Sequence, residues 1–356
     1  MKPTGPAAAV ALAALLLAAP AAAQFTLETA DSARLTIGGR VHTQLNTTSV
    51  DSAAATEMLL RRVRLEANLQ LNRVVGGRIQ PEFAGSRVTL RDAYVRLTLD
   101  PAFVLTAGQA HRPASLLTEY SSTRIVPIER GLRIRGVQGD WEQHNLVSLL
   151  GYADRDVGLQ VRGQPRGAPL GLGYAVGFFN GPVRADFPDE NTYQLVARVT
   201  ARPASLVRVG ASWSSRDFAR PNALTDQVDL ERGTMWEADL DVGEEKAGPR
   251  LMAEAVYGDF NPFDGVTFAG VQGWLSYRTG PVSSTIAAVE PLLRVSAGDP
   301  DVDDEVLSGA IGGVLVTPGV NLWLGGLNRL QFNYDLWSPG EGKRVHSFKT
   351  QFQLAF

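Results

Sequence analysis

The chain has 356 residues, 36 of them glycine and none cysteine, and 34 Lys and Arg stand against 37 Asp and Glu for a net charge of -3. The absence of cysteine excludes disulfide stapling, and the slight acidity leaves no whole-protein field that favours anions, nucleic acid included. Beyond residue 23 no stretch approaches the roughly 18 consecutive apolar residues of a transmembrane helix, so any membrane crossing falls to strands.

The chain opens with Lys2, an apolar run from Ala7 to Ala19 and the small residues Ala21-Ala22-Ala23. This pattern predicts a cleaved secretory signal over 1–23 and one mature domain over 24–356. The apolar run is shorter than the roughly 20 residues needed to span a bilayer.

Period-two segments then follow one another to the C-terminus: 34–48, 57–72, 75–84, 87–99, 102–110, 156–164, 170–180, 190–202, 205–216, 232–243, 249–260, 266–280, 282–294, 306–317, 326–337 and 344–356. They predict an all-β fold, a transmembrane antiparallel barrel of about sixteen strands, because only helices and closed barrels satisfy their own backbone in hydrocarbon. Asp100-Pro101, Ala201 to Ala204 and Gly280-Pro281 read as tight periplasmic turns, and Arg216 to Glu231 and Ala297 to Glu305 as external loops.

The clearest strand is Leu59 to Asn72 (LLRRVRLEANLQLN). Val63, Leu65, Ala67, Leu69 and Leu71 form a lipid face, while Arg62, Arg64, Glu66, Asn68, Gln70 and Asn72 face a hydrated interior. Arg61 breaks the alternation and is expected at an interface or strand end. Arg78, Gln80 and Glu82, then Asp92, Tyr94, Arg96 and Thr98, repeat the scheme, as do Arg198 and Arg208. From Arg61 to Arg135 there are thirteen Arg against six acids. Arginine forks suit phosphate and carboxylate oxygens, but pairing with Glu66, Glu82, Asp92 and Glu129 is the equal alternative.

His111 to Gly131 (HRPASLLTEYSSTRIVPIERG) has Pro113, Pro127 and no sustained alternation, and it is too long for a hairpin turn. A loop of this kind folded inward would constrict the barrel, with Arg112, Arg124 and Arg130 near the narrowest point. Leu132 to Asp154 continues the loop, forms a short helix or adds a hairpin. The acidic stretch Asp299 to Glu305 reads as a solvated loop; its carboxylates also suit Ca²⁺ or a lipopolysaccharide bridge, without the spacing of a full calcium loop.

Trp213, Trp236, Trp274, Trp323, Trp337, Tyr193, Tyr257 and Tyr277 fall near strand ends, as interfacial girdles do, although Trp274 and Trp337 have inward parity. The four histidines, His42, His111, His144 and His346, share no metal spacing, so no metal or cofactor is expected. The chain ends SFKTQFQLAF, with Phe348, Phe352, Leu354 and Phe356 on one face and Lys349, Gln351 and Gln353 on the other, the pattern of a closing barrel strand.

The RRVRLEANLQLN strand, LRDAYVRLTL at Leu90 to Leu99, LTAGQAHRP at Leu105 to Pro113, the loop ending PIERG, DRDVGLQVRG at Asp154 to Gly163 and YAVGFFNG at Tyr174 to Gly181 resemble the phosphate-selective porin O and P family over roughly 34–202. The resemblance implies a sixteen-stranded outer-membrane barrel, typically a homotrimer, with an arginine-rich pore. It places the pore groups on Arg61, Arg62, Asp92, Ser121, Ser122 and Arg130, with Arg40 joining them, and Arg64, Arg96, Arg112 and Arg124 complete the candidate set. The serines would donate to oxyanions, and Asp92 would accept a proton or orient an arginine. A departure is the scarcity of lysine, with only Lys246, Lys343 and Lys349 in the mature chain, so a generally anion-preferring pore fits as well as a phosphate-selective one.

The expected function is passive diffusion of small anions such as phosphate across the outer membrane, without catalysis. Two alternatives come from other classes. A barrel hydrolase would place His144 or His111 beside a serine, and a structural or adhesive barrel would be plugged by its own loops.

Overall fold

The computed structural model describes residues 24–28, 33–51, 53–135, 137, 139–188, 190–222, 227–302 and 311–356. The expected signal segment lies outside them, as do residues 303–305 of the acidic stretch. Eighteen strands are formed: β1 Phe25–Glu28, β2 Arg34–Val50, β3 Ala53–Gln70, β4 Val75–Glu82, β5 Thr89–Asp100, β6 Phe103–His111, β7 Asp140–Trp141, β8 Arg155–Gly163, β9 Gly173–Phe179, β10 Gln194–Ala204, β11 Val207–Asn222, β12 Gln227–Gly243, β13 Gly248–Asn261, β14 Val266–Arg278, β15 Ala288–Asp299, β16 Ile311–Gly325, β17 Asn328–Pro339 and β18 Val345–Ala355.

Sixteen of these, all but β1 and β7, make one closed antiparallel barrel. Each pairs with its sequence neighbour, β6 pairs with β8 across the intervening segment, and β18 pairs with β2 to close the ring. Each of the sixteen segments expected from the sequence overlaps one barrel strand. β1 extends the closure by lying on the same edge of β2, Phe25 opposite Ile37, just beyond the end of β18. At that seam Gly39 and Phe356 exchange both backbone hydrogen bonds, at 2.8 and 3.0 Å. A Cβ on Gly39 would lie 2.6 Å from the Phe356 ring, so the terminal aromatic needs a residue without a side chain there.

Side-chain alternation sets the two surfaces. Outward, Met58, Leu65, Leu69, Phe348 and Leu354 are exposed, and inward, Arg40, His42, Gln44, Asn46, Lys349, Gln351 and Gln353 are buried. This inverts a soluble protein's arrangement and matches a wall between hydrocarbon and a polar interior.

Several boundaries differ from the sequence reading. β11 and β12 continue through most of Arg216 to Glu231, leaving only 223–226 between them, because pairs such as Arg220 and Asp229 extend the ladder with polar residues on both faces. The turn expected at Ala201 to Ala204 is instead Ser205-Leu206, Gly280-Pro281 belongs to a nine-residue connection over 279–287, and β15 runs on to Asp299.

Arg61 is neither at an interface nor at a strand end. His42 pairs with Arg62 and Thr43 with Leu60, so Arg61 is the extra residue of a β-bulge in mid-strand, and both consecutive arginines reach the interior. A second bulge follows the same logic. Gln80 pairs with Asp92 and Pro81 with Leu90, leaving Arg91 as the extra residue, where proline's missing N–H interrupts the ladder.

The described residues of 112–154 pack inside the barrel. They carry α1 (Leu116–Glu119), β7 and α2 (Gln143–Leu149), so the stretch after Leu132 contains a short helix rather than a barrel hairpin. Ser115 caps α1 by accepting from the Thr118 N–H at 3.1 Å, and Glu142 caps α2 by accepting from Asn145 N–H at 3.1 Å. Wall side chains hold the loop's backbone. Gln353 donates to Thr123 O, Arg329 to Ile125 O, Asn321 to Val126 O, Arg294 to Glu129 O and Gln272 to Arg130 O, while Asn333 accepts from Ile128 N–H.

The tryptophans of inward parity explain themselves here. Trp274 packs with Leu117, Val126, Met252 and Leu292, and Trp337 with Ile134, Leu315 and Val345. Trp323 also faces inward rather than joining a girdle, donating to Glu290 at 2.9 Å. Apolar burial of this kind, worth about 1.5–3 kcal/mol per large side chain, fastens the loop to the wall.

Candidate functional site

Between the loop and the β2–β8 side of the wall lies an internal cavity of about 420 Å³. Of the candidates named from sequence, Arg40, Arg61, Arg62, Arg64, Asp92, Ser121, Ser122 and Arg130 line it together. Arg78, Arg91 and Arg155 join them. Arg91 was hidden by its bulge, and Arg155 by its place at the first residue of a strand; the RD dipeptides at 91–92 and 155–156 were the available signal.

Three candidates lie elsewhere. Arg96 lines a neighbouring cavity. Arg112 is buried as a strut, bonded to Gln194, to Ala153 O and to Asp154 O, and 3.6 Å from Asp156. Arg124 is half-exposed, 3.6 Å from Glu245, beside a cavity at the rim that carries Gln24 and Phe356.

Most of the cavity's guanidiniums are paired. Glu66 meets Arg40 at 2.8 Å and Arg78 at 2.6 Å. Glu82 pairs with Arg64, and Asp92 with Arg155 at 2.5 Å and Arg78 at 3.3 Å. Asp154 meets Arg91 and Arg155, each at 3.2 Å. Glu129 meets Arg61 at 2.5 Å and Arg62 at 3.5 Å. The pairing foreseen as the alternative is therefore present, but from a loop residue in the case of Glu129. Burial alone would raise the Glu129 carboxyl, yet Arg61 and Arg62 outweigh it and hold the group well below the usual carboxylate range.

The balance still favours cations. The eight arginines 40, 61, 62, 64, 78, 91, 130 and 155 face the six carboxylates 66, 82, 92, 119, 129 and 154, an excess of two. Arg130 meets no carboxylate among the described residues. It donates to Leu117 O at 2.8 Å and to Tyr120 O, closing the end of α1, and burial, then Arg155 and Arg64, push its pKa down to about 9. The loop turns tightly next to it at Gly131, where a Cβ would meet Glu142 and His144.

The serine hydroxyls are set up to donate. Arg40 donates to Ser122 Oγ at 3.1 Å and to Ser121 Oγ at 3.3 Å, which polarises each O–H and leaves Ser122's proton available to an oxyanion in the cavity.

A closed sixteen-stranded barrel with an apolar outside and a charged inside is the architecture of an outer-membrane porin. The phosphate-selective porin O and P family model matches residues 35–235, and the chain belongs to that family. No curated protein matches the sequence. Among solved structures, the barrel is similar to OprB of Pseudomonas putida (11% identity, TM-score 0.65, covering 90% of this chain and 94% of that one). It is also similar to the outer-membrane channel DcaP of Acinetobacter baumannii (14%, 0.61, 93% and 99%). The trimer form of OmpT from Vibrio cholerae is a third structure of similar fold (10%, 0.56, 91% and 100%). At these identities the likeness is one of fold.

Proposed function

We propose that this barrel is a passive pore for small anions, phosphate among them, with the arginine cavity as its selective passage and the 112–154 loop as its constriction. The observation that carries the reading is the excess of two guanidiniums over carboxylates around a cavity that also presents serine hydroxyls. Rings of arginine are a physical means of anion selection, since their charge is permanent and their donors are fixed. The family description supports phosphate, DcaP's description as a channel supports permeation, and the OmpT trimer supports a homotrimer in the outer membrane. The mature chain would begin near Gln24 after export.

The hydrolase alternative asked for a histidine beside a serine, and Ser148 Oγ lies 3.1 Å from His144 Nε2. The pair is one helical turn apart on α2. No third group hydrogen-bonds His144 among the described residues, because Glu142 is committed to the N–H groups of Leu132 and Asn145 and to Ser296. A base without an orienting partner lacks the constellation nucleophilic catalysis needs, and the pore reading stands. Planar-bilayer reversal potentials in chloride and phosphate gradients test it: anion preference that weakens in Arg62→Ala is expected, and a cation-selective trace would refute it.

A further inference from the structure

Toward the rim that carries Gln24 and Phe356, a second cavity of about 580 Å³ adjoins the first and shares Arg78, Asp92, His111 and Glu119 with it. The two walls differ in kind. Around the upper cavity only Ala84 and the Tyr120 ring lack charge or strong polarity. The lower wall adds Pro101, Val104, Ala110, Ala175 and the rings of Tyr94 and Tyr174. Its cations are mostly committed: Arg162 to Glu119 at 2.6 Å, Arg198 to Glu237 at 2.8 Å. Arg96 pairs with no carboxylate among the described residues. It donates to Tyr94 O–H at 2.9 Å and lies 5.1 Å from that ring.

We propose that the two cavities form one elongated site for small organic anions, an oxyanion head among the arginines and a short apolar body against Tyr94, Val104 and Ala110. This rests on the anion-pore reading and names its substrate class. Inorganic phosphate has no apolar surface and gains nothing from Val104 or Ala110, whereas an aromatic or short alkyl group attached to it removes apolar area from water on both sides. Arg96, beside the Tyr94 ring, keeps the lower cavity permissive to the molecule's residual negative charge.

The test is block of chloride current through the full-length barrel by phenyl phosphate and by inorganic phosphate. Phenyl phosphate is expected to half-block at a concentration about tenfold lower, equivalent to about 1.4 kcal/mol. The near-isosteric double variant Val104→Thr, Ala110→Ser should cut that ratio to about threefold or less, on the same scale of apolar transfer. Equal potency of the two anions in an anion-preferring channel would overturn the organic-anion site and leave the anion pore intact. A cation-selective channel blocked by neither would overturn both.

Discussion

The inner wall has two halves that carry the same chemistry and use it differently. On the β2–β8 side, arginines meet a cavity: Arg61, Arg78 and Arg91 keep part of their surface open, and their carboxylate partners leave an excess charge. On the β14–β18 side, Arg294, Arg329, Lys349 and Asp335 are all at most 2% exposed, sealed beneath the loop. There Lys349 pairs with Asp335 at 2.5 Å, Arg294 lies 3.4 Å from the same carboxylate, and the Arg329 guanidinium lies 4.6 Å from the centre of the Trp323 ring. Inward polarity therefore marks the inside of a barrel wall but not its wetness. What distinguishes the halves is whether loop backbone, or a cavity, faces the polar row.

The strongest way to break that comparison is to remove charge from each half in turn. Arg61→Ala with Arg62→Ala should lower the chloride-to-potassium permeability ratio roughly tenfold, since a unit charge about 4 Å from a permeating ion is worth on the order of 1–4 kcal/mol between water-like and surface-like dielectric. Lys349→Met removes a charge of the same sign from the sealed half and should leave the ratio unchanged while loosening the loop. Equal shifts in reversal potential for the two variants would erase the distinction.

The next effect concerns the fastening. Asn321 donates to Val126 O and to Glu290, both at 2.9 Å. Asn321→Leu leaves those buried acceptors short of a donor, a loss of about 1–3 kcal/mol. Amide exchange over 116–134 should accelerate about tenfold or more, and protection identical to the unaltered barrel would show that the apolar clusters alone hold the loop.

Acid supplies a smaller perturbation at the boundary between the halves. Burial holds the His144 pKa down to about 4, with Glu142 opposing, whereas the same ring on a released loop titrates near its ordinary value of about 6.5. Between those values the released loop binds the proton more tightly, so the docked state is fully favoured above about pH 6.5 and loses stability as pH falls toward 4. The protection factors of the α2 amides, taken relative to the intrinsic exchange rate at each pH, should fall with acidity across that window. His144→Gln should flatten the dependence, and an unchanged slope would place the titration elsewhere.

Much of this was legible in the sequence because strand alternation is a local signal. Sixteen segments and the closing SFKTQFQLAF strand follow from parity, whereas seven of the eight cavity residues named beforehand come as pore groups through the family resemblance. Two kinds of feature did not. Bulges shift parity by one residue, which is why Arg61 looked like an end effect and Arg91 went unnoticed. Long-range docking leaves no periodic trace, yet Trp274 and Trp337 carried it as exceptions: large apolar side chains on an otherwise polar face require a partner inside. The stretch from Arg216 to Asn222 has a loop's polarity yet continues β11, because ladder hydrogen bonds need no hydrophobic pattern.

The smallest effect should come from Arg124, which the sequence grouped with the pore arginines. Its side chain is 51% exposed and its nearest carboxylate, Glu245, lies 3.6 Å away, in reach of bulk solvent near the rim. Exposed pairs of this kind contribute about 0–1 kcal/mol and are screened by salt. Arg124→Ala should therefore shift the reversal potential far less than the Arg61 and Arg62 pair does, and the residual shift should vanish at about 1 M salt, where the screening length falls to about 3 Å. A persistent, salt-independent shift would place Arg124 within the narrow passage and move the selective boundary from the arginine cavity toward the rim.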